Sequence, residues 1–263
     1  MLTDDVAILH LALALGDQAR DVLVWWRAPH RAVSCTSMWC HTGHEAATGR
    51  TADTSETTLL VRLWVLGWAA VRGVPPPVAH SDGWRVEVGR PQQKRRHVFP
   101  RISQALHALG ETIVEPWSYL KACATADELR AALPAHWHVE ETYFMRFDGP
   151  PPTAPELPSG YGLDVATQGR LAVARVLAAD GSVAATGHVA VVEDAAIFDR
   201  IATDAAHRRR GLGRAVMCAL DAASRTLGAQ RGLLGATADG YEMYRTMGWQ
   251  VQSPLVSGVI VGE

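Results

Sequence analysis

Apolar and polar positions along this chain follow two different periods, and the switches between them mark out most of its elements. Near the start, Leu2, Val6, Leu9 and Leu13 fall three and four apart, the spacing of one helix face. Asp4 and Asp5 lie at that helix's positive N-terminal end, where carboxylates are favoured. Residues 31–58 are rich in Thr, Ser, Ala, Gly and His, show little period, and read as loop. Residues 59–71 form an apolar, helix-like run; residues 84–88 alternate as a strand does; residues 97–109 have helical spacing. A strand is predicted over 119–122 and a helix over 126–133. Thr125 is that helix's N-cap, and Glu128 three residues on completes a reciprocal cap. Residues 139–147 are extended.

Beyond residue 159 the pattern is clearer. Residues 170–178 and 182–192 are two apolar strands separated by Ala179-Asp180-Gly181, and Asp-Gly is a strong hairpin signal. A third strand covers 196–203. Residues 211–227 form a helix that carries Leu212, Ala215, Val216, Ala219, Leu220 and Ala223 on one face, with Gly228 as its stop. A short buried strand over 232–236, a helix over 239–247 ended by Gly248, and an extended segment from Trp249 complete the chain. This order is an α/β or α+β pattern with a mixed sheet.

Composition divides the chain further. In Gly149-Pro150-Pro151-Pro152-Thr153-Ala154-Pro155 the prolines exclude helix and central strand. The expected division is therefore an N-terminal α/β domain over 1–148, a linker over 149–158 and a second domain over 159–263. Eight of the nine Trp precede the linker, so the two halves differ in core chemistry. The chain has 263 residues, 48% hydrophobic and 20% charged, which is ample for a packed core. A net charge of −2 argues against a dedicated nucleic-acid binder. The longest run without a polar side chain, residues 63–71, is far short of the roughly 20 residues of a membrane helix. Four Cys do not make a disulfide framework, and the N-terminus lacks the basic stretch of a secretory signal. The expectation is a cytoplasmic protein. Homodimerisation is compatible with the sequence.

Chemistry concentrates where the third strand gives way to the helix after it: Thr203-Asp204-Ala205-Ala206-His207-Arg208-Arg209-Arg210-Gly211-Leu212-Gly213-Arg214. The first N–H groups of a helix have no partner within it, and the macrodipole places positive charge there. Gly211 and Gly213 let a bulky anion approach the backbone, and Arg208, Arg209 and Arg210 add charge. A pyrophosphate suits such a site. Neither a Walker A pattern nor a G-x-G-x-x-G fingerprint is present. The run Lys94-Arg95-Arg96-His97 lacks this context and reads as a solvated face. Cys35, Cys40, His41 and His44 have the inventory of a zinc site without its usual spacing, so no metal is expected.

About thirty residues on comes Tyr241-Glu242-Met243-Tyr244-Arg245-Thr246-Met247-Gly248-Trp249. The pair of motifs, Arg208-x-x-Gly211-x-Gly213 and then Tyr244-x-x-x-Gly248-Trp249, resembles the GNAT superfamily of N-acetyltransferases over residues 170–261. That resemblance implies acetyl-CoA as co-substrate and a GNAT-like acyl-CoA fold in the second half. Backbone amides of Arg209 to Arg214 would hold the pyrophosphate, and Ile201, Ala202 and Thr203 would lend backbone groups to the pantetheine arm. Tyr244 would protonate the leaving thiolate. The family often has Asn where this chain has Thr237, a departure among the residues expected to contact the CoA arm.

The expected reaction is direct attack of a primary amine, of a small molecule or less readily of a protein, on the thioester carbonyl through a tetrahedral intermediate. An alkyl amine with a pKa near ~10 must first lose a proton, and a carboxylate can take it. Asp199, Asp204, Glu193 and Asp194 are the candidates. Asp199 is preferred because alternation with Ile201 would turn both toward one cleft. A backbone N–H of Ile201 or Ala202 would stabilise the oxyanion. The alternative function is a non-catalytic acetyl-CoA sensor or scaffold. The first half reads either as a degenerate GNAT repeat, since 117–122, 126–133 and 137 onward mimic 232–236, 239–247 and 249 onward, or as an unrelated α/β cap that shapes the amine pocket.

Overall fold

The computed structural model describes residues 49–262, and Glu56–Glu263 make up one compact unit. The helix expected near the N-terminus and the Cys35/Cys40/His41/His44 cluster lie outside the described residues.

Local signals set several elements as expected. Asp180 accepts hydrogen bonds from the backbone N–H and hydroxyl of Ser182, and Gly181 has φ +83°, so the hairpin from β7 (Leu171–Ala178) to β8 (Val183–Val192) closes at Asp-Gly. Thr125 caps α3 (Ala126–Ala132) in the reciprocal arrangement with Glu128. Helix α4 (Leu212–Thr226) ends before Gly228, which has φ +94°. Helix α1 (Gly49–Arg72) is longer than its apolar run and takes in residues 49–58, which the composition assigned to loop.

The largest departure falls at 97–109. His97 belongs to β3 (Gln93–Phe99), and α2 (Gln104–Thr112) starts at Ser103, whose hydroxyl accepts from the Leu106 N–H. The run expected to be a solvated face is thus a strand. His97, Val98 and Phe99 are all buried, and the Arg96 guanidinium lies 4.2 Å from the centre of the Trp68 ring. Helical spacing misled there because His97, Val98 and Phe99 are covered from both faces of the sheet.

The remaining strands are β1 (Val78–His80), β2 (Gly83–Arg90), β4 (Ser118–Ala122), β5 (His138–Phe147), β6 (Tyr161–Gln168), β9 (Ala195–Thr203), β10 (Arg231–Ala236) and β11 (Gln250–Val259). All join one 11-stranded sheet in the order β1-β2-β3-β4-β11-β5-β10-β9-β8-β7-β6. Parallel pairing occurs between β3 and β4 and between β9 and β10; the other neighbours are antiparallel.

Exchanging β1–β5 with β7–β11 makes that order read the same from the other end, with β6 added at one edge. The helices obey the same exchange: α2 and α4 each link the two strands of a parallel pair, and α3 and α5 (Ala238–Thr246) each precede a final strand. The first half therefore repeats the topology of the second, and each half lends its last strand to the other. Residues on either side of the Pro-rich segment 149–158 share this one sheet, with β5 held between β11 and β10.

One face of the sheet carries α1, whose Leu60, Leu63, Trp64 and Trp68 pack on Val86, Val98, Phe144, Ile197, Leu233 and Leu255. The opposite face carries two cores. Leu212, Val216 and Leu220 of α4 pack with Met145, Phe147, Phe198, Leu234 and Trp249; Leu106 and Leu129 pack with Phe99, Leu120, Ala122 and Val256. Among the described residues no helix is long and apolar enough to cross a membrane.

Candidate active site

Strands β9 and β10 run side by side from Ala195 and Arg231 to Phe198 and Leu234, then part. From there β9 stays with β8 as far as Thr203 opposite Ala185, while β10 follows β5 to Ala236 opposite Tyr143. The edge of β9 from Asp199 to Thr203 therefore has no pairing with β10. Ala202 and Gly235, facing this opening from either strand, are exposed. In the first half, β3 and β4 stay paired through Phe99 and Ala122, and the Cys123 N–H continues to the Phe99 carbonyl, so no opening forms there.

The opening leads to the start of α4. A turn of 3-10 helix over Ala205–His207 is capped by Asp204, which accepts from the Ala206 N–H. Arg209 at φ +64° and Gly211 at φ +77° then bend the chain into α4. Gly211 is the N-cap and supplies no side-chain hydrogen bond, which leaves the first N–H groups of the helix available. A Cβ at Gly211 would meet nothing within 4 Å, whereas one at Gly213 would come 3.2 Å from Met243 Sδ. Arg208, Arg209 and Arg210 are exposed around this turn. Arg208 Nε donates to the Thr203 carbonyl at 3.3 Å. Arg210 donates to the Tyr161 hydroxyl at 2.9 Å, and that hydroxyl lies 2.8 Å from His207 Nδ1. Tyr161 on β6 thus braces the arginine loop, a contact between residues 46 or more apart that no local signal in the sequence marks.

Tyr244 comes from α5. It is buried, and Trp249 lies beside it with ring centres 6.0 Å apart. Burial, helped by the Asp199 carboxylate, pushes its phenol up to about 12. Asp199 comes from the other face. Arg72, the last residue of α1, grips it through Nε at 2.6 Å and Nη2 at 3.2 Å. The structure thus brings Tyr244, Asp199, Ile201, Ala202 and Thr203 to the parting of the strands, with Arg208 to Arg214 at the helix start beyond.

Asp199 and Ile201 do not share a face. Arg200 has φ +57° and bulges out, with the register against β8 shifting between Thr186 and His188. The extra residue reverses the alternation. Asp199 turns to α1, and Ile201 packs toward α4, beside Gly187, Val216 and Leu220. The other carboxylates are engaged elsewhere. Glu193 pairs with Arg62 and Asp194 with Arg231, both at the start of β9, away from the opening, and Asp204 is spent as a cap. Thr237 caps α5, its hydroxyl accepting from the Gly240 N–H at 3.4 Å. The arginines that surround Asp199, chiefly Arg72 and Arg96, were missed from the sequence; Arg72 closes an amphipathic helix and Arg96 sits in a basic run, so neither carries a local mark.

Residues 169–251 match the family described as the Acetyltransferase (GNAT) domain. Solved structures of similar fold include a GCN5-related N-acetyltransferase from Kribbella flavida, with TM-score 0.57 and 14% identity over 78% of this chain and 96% of that one. A GNAT-family acetyltransferase from Novosphingobium aromaticivorans has TM-score 0.54 and 15% identity over 78% and 99% of the two chains. A GCN5-related N-acetyltransferase-like protein from Streptococcus suis has TM-score 0.50 and 12% identity over 80% and 99%. At these identities the likeness is one of fold. No curated protein matches.

Proposed function

We propose that this chain is an acetyl-CoA-dependent N-acetyltransferase acting on a primary amine of a small molecule. The observation that carries the reading is the opening between β9 and β10 beside the uncapped start of α4. Backbone N–H groups of Leu212, Gly213 and Arg214 are placed to hold a pyrophosphate, and the exposed arginines 208 to 210 add charge around it. The open space at Gly211 fits a bulky anion. The unpaired edge of β9 at Ile201 to Thr203 offers main-chain groups to the pantetheine arm. Acetyl-CoA supplies the activated acetyl group.

The chain's own residues do the rest. A carboxylate has about four lone-pair sites, so the two bonds from Arg72 leave Asp199 able to receive the acceptor's ammonium and take its proton. The amine nitrogen then bonds to the acetyl carbon and gives up its second proton to solvent, the C–S bond breaks, and the electron pair leaves on sulfur. An N–H of Ile201 or Ala202 stabilises the carbonyl oxygen as charge builds there. Tyr244, held protonated by burial, donates its hydrogen to the departing thiolate.

Titration calorimetry with coenzyme A should show one site per chain, and failure to bind removes the assignment. Replacing Tyr244 with Phe should lower kcat roughly a hundredfold or more and leave coenzyme A affinity intact. Binding without turnover of any amine would instead support the sensor or scaffold reading.

A further inference from the structure

Among the described strands, β6 alone has no counterpart when the halves are exchanged. It lies at the edge of the sheet beside β7, and most of it is exposed, Leu163 and Val165 included. Its first residue, Tyr161, reaches inward. Gly160 at φ +85° and the bond from the Tyr161 N–H to the Pro158 carbonyl at 3.2 Å turn the chain out of the Pro-rich segment, and the Tyr161 ring packs against the core that α4 covers.

The connection that Tyr161 touches is longer than its counterpart. Residues 100–103 suffice between β3 and α2, whereas residues 204–211 join β9 to α4. The start of the longer connection is tied to the sheet. The Asp204 N–H donates to the Ala184 carbonyl at 2.9 Å, and Arg208 Nε donates to the Thr203 carbonyl at 3.3 Å. Beyond that point the ties come from Tyr161. Its hydroxyl accepts from Arg210 Nη1 at 2.9 Å and lies 2.8 Å from His207 Nδ1. The Tyr161 and His207 rings meet at a right angle with centres 5.7 Å apart, and the Arg210 guanidinium carbon is 5.9 Å from the centre of the Tyr161 ring. One phenol thus joins the residues that flank Arg208 and Arg209. Between them Arg209 has φ +64°, a conformation that a residue with a Cβ keeps only where its surroundings fix it. That bend and the next, at Gly211, aim the first N–H groups of α4, and Gly211 has no side chain with which to restore them. A loop that must be ordered at the moment of binding costs affinity, and one held beforehand does not.

We propose that Tyr161 is a positioning residue for the co-substrate: its hydroxyl holds the 204–211 turn in shape ahead of coenzyme A, and so sets affinity for the diphosphate end while leaving acetyl transfer itself alone. This rests on the acetyltransferase reading above and extends it to a residue outside the matched segment 169–251.

Tyr161→Phe deletes one oxygen and keeps the packed ring. Calorimetry should show it binding coenzyme A about tenfold more weakly than the intact chain does, the worth of about one hydrogen bond. With an amine that the intact chain acetylates, KM for acetyl-CoA should rise by the same factor and kcat at saturation should be unchanged. Arg210→Gln, a change in an exposed loop, should also weaken coenzyme A binding, and Tyr161→Phe added to it should cost less than it costs alone, because the brace has already lost a partner. Calorimetry needs no acceptor amine, so these affinities decide the matter even before one is found. Tyr161→Phe binding coenzyme A as tightly as the intact chain overturns the proposal, whether or not it melts earlier; so do factors that multiply in the double variant, or a fall in kcat with KM unchanged. Circular dichroism confirms that each variant is folded. If the intact chain binds no coenzyme A, the acetyltransferase reading falls and this inference with it; if intact chain and Tyr161→Phe bind it equally, this inference alone is lost.

Discussion

His97 and Lys121 show how single buried bases set the response of the fold to pH. Burial, with His80 next in effect, pushes the His97 imidazole down to about 4 from 6.5, and its ring packs edge-on to His80 with centres 5.4 Å apart. Burial pushes His188 down to about 4 likewise. Between pH 6.5 and 4 the unfolded chain binds protons that the folded chain refuses, so stability falls as pH falls through that window. Replacing His97 with Gln should flatten the slope of melting temperature against pH over the same window; an unchanged slope would show that His97 does not carry it. Lys121 donates to Thr142 Oγ1 at 3.1 Å and Ser257 Oγ at 2.7 Å, and burial pushes it down to about 7 from 10.5. Here the unfolded lysine holds its proton between pH 7 and 10.5 while the folded one gives it up, so this contribution rises with pH across that range. Lys121→Met should remove the rise, measured by urea unfolding at pH 7 and pH 9.

At the scale of elements, the contact between α1 and β9 decides a sign. Gly67 lies inside α1, where Gly→Ala ordinarily stabilises a helix by about 1 kcal/mol. A Cβ there would come 2.5 Å from Ile197 Cγ1 and 2.6 Å from its Cβ, so the helix sits on β9 with no room for a methyl. Gly67→Ala should therefore destabilise, by about 1–3 kcal/mol in denaturant unfolding. The same contact explains what the sequence revealed. The caps at Thr125 and the Asp180-Gly181 turn were legible because their partners lie within three residues. The arginine loop and Tyr244 were legible because their motifs recur across a family. The strand at 93–99 was not, since its polar residues gain their burial from Trp68 and other distant groups. Nor was the Arg200 bulge, which breaks a period that β9 otherwise keeps. What was missed at the site is what comes from elsewhere in the chain: Arg72, Arg96 and the brace from Tyr161.

At the scale of the whole molecule, the exchange of final strands removes independence from the halves. Residues 159–263 alone would lack β4 and β5, leaving β10 with an open edge and β11 with neither of its neighbours. Expressed alone, that piece should aggregate or associate, and co-expression with residues 1–158 should recover a soluble pair that elutes with the intact chain. A monomeric, cooperatively melting 159–263 would show that the linker divides true domains. The opening between β9 and β10 depends on the same exchange, because β5 draws β10 away from β9 at Ala236. The half that binds acetyl-CoA in the proposed function thus takes its shape from a strand of the half that does not.

Strand β11, the last described strand that a ribosome would make, lies between β4 and β5, near the middle of the sheet. A premature stop codon before Gln250 would therefore cut out an inner plank rather than trim an end, and the nascent chain would have to keep β4 and β5 waiting with bare flanks until translation of that strand is over.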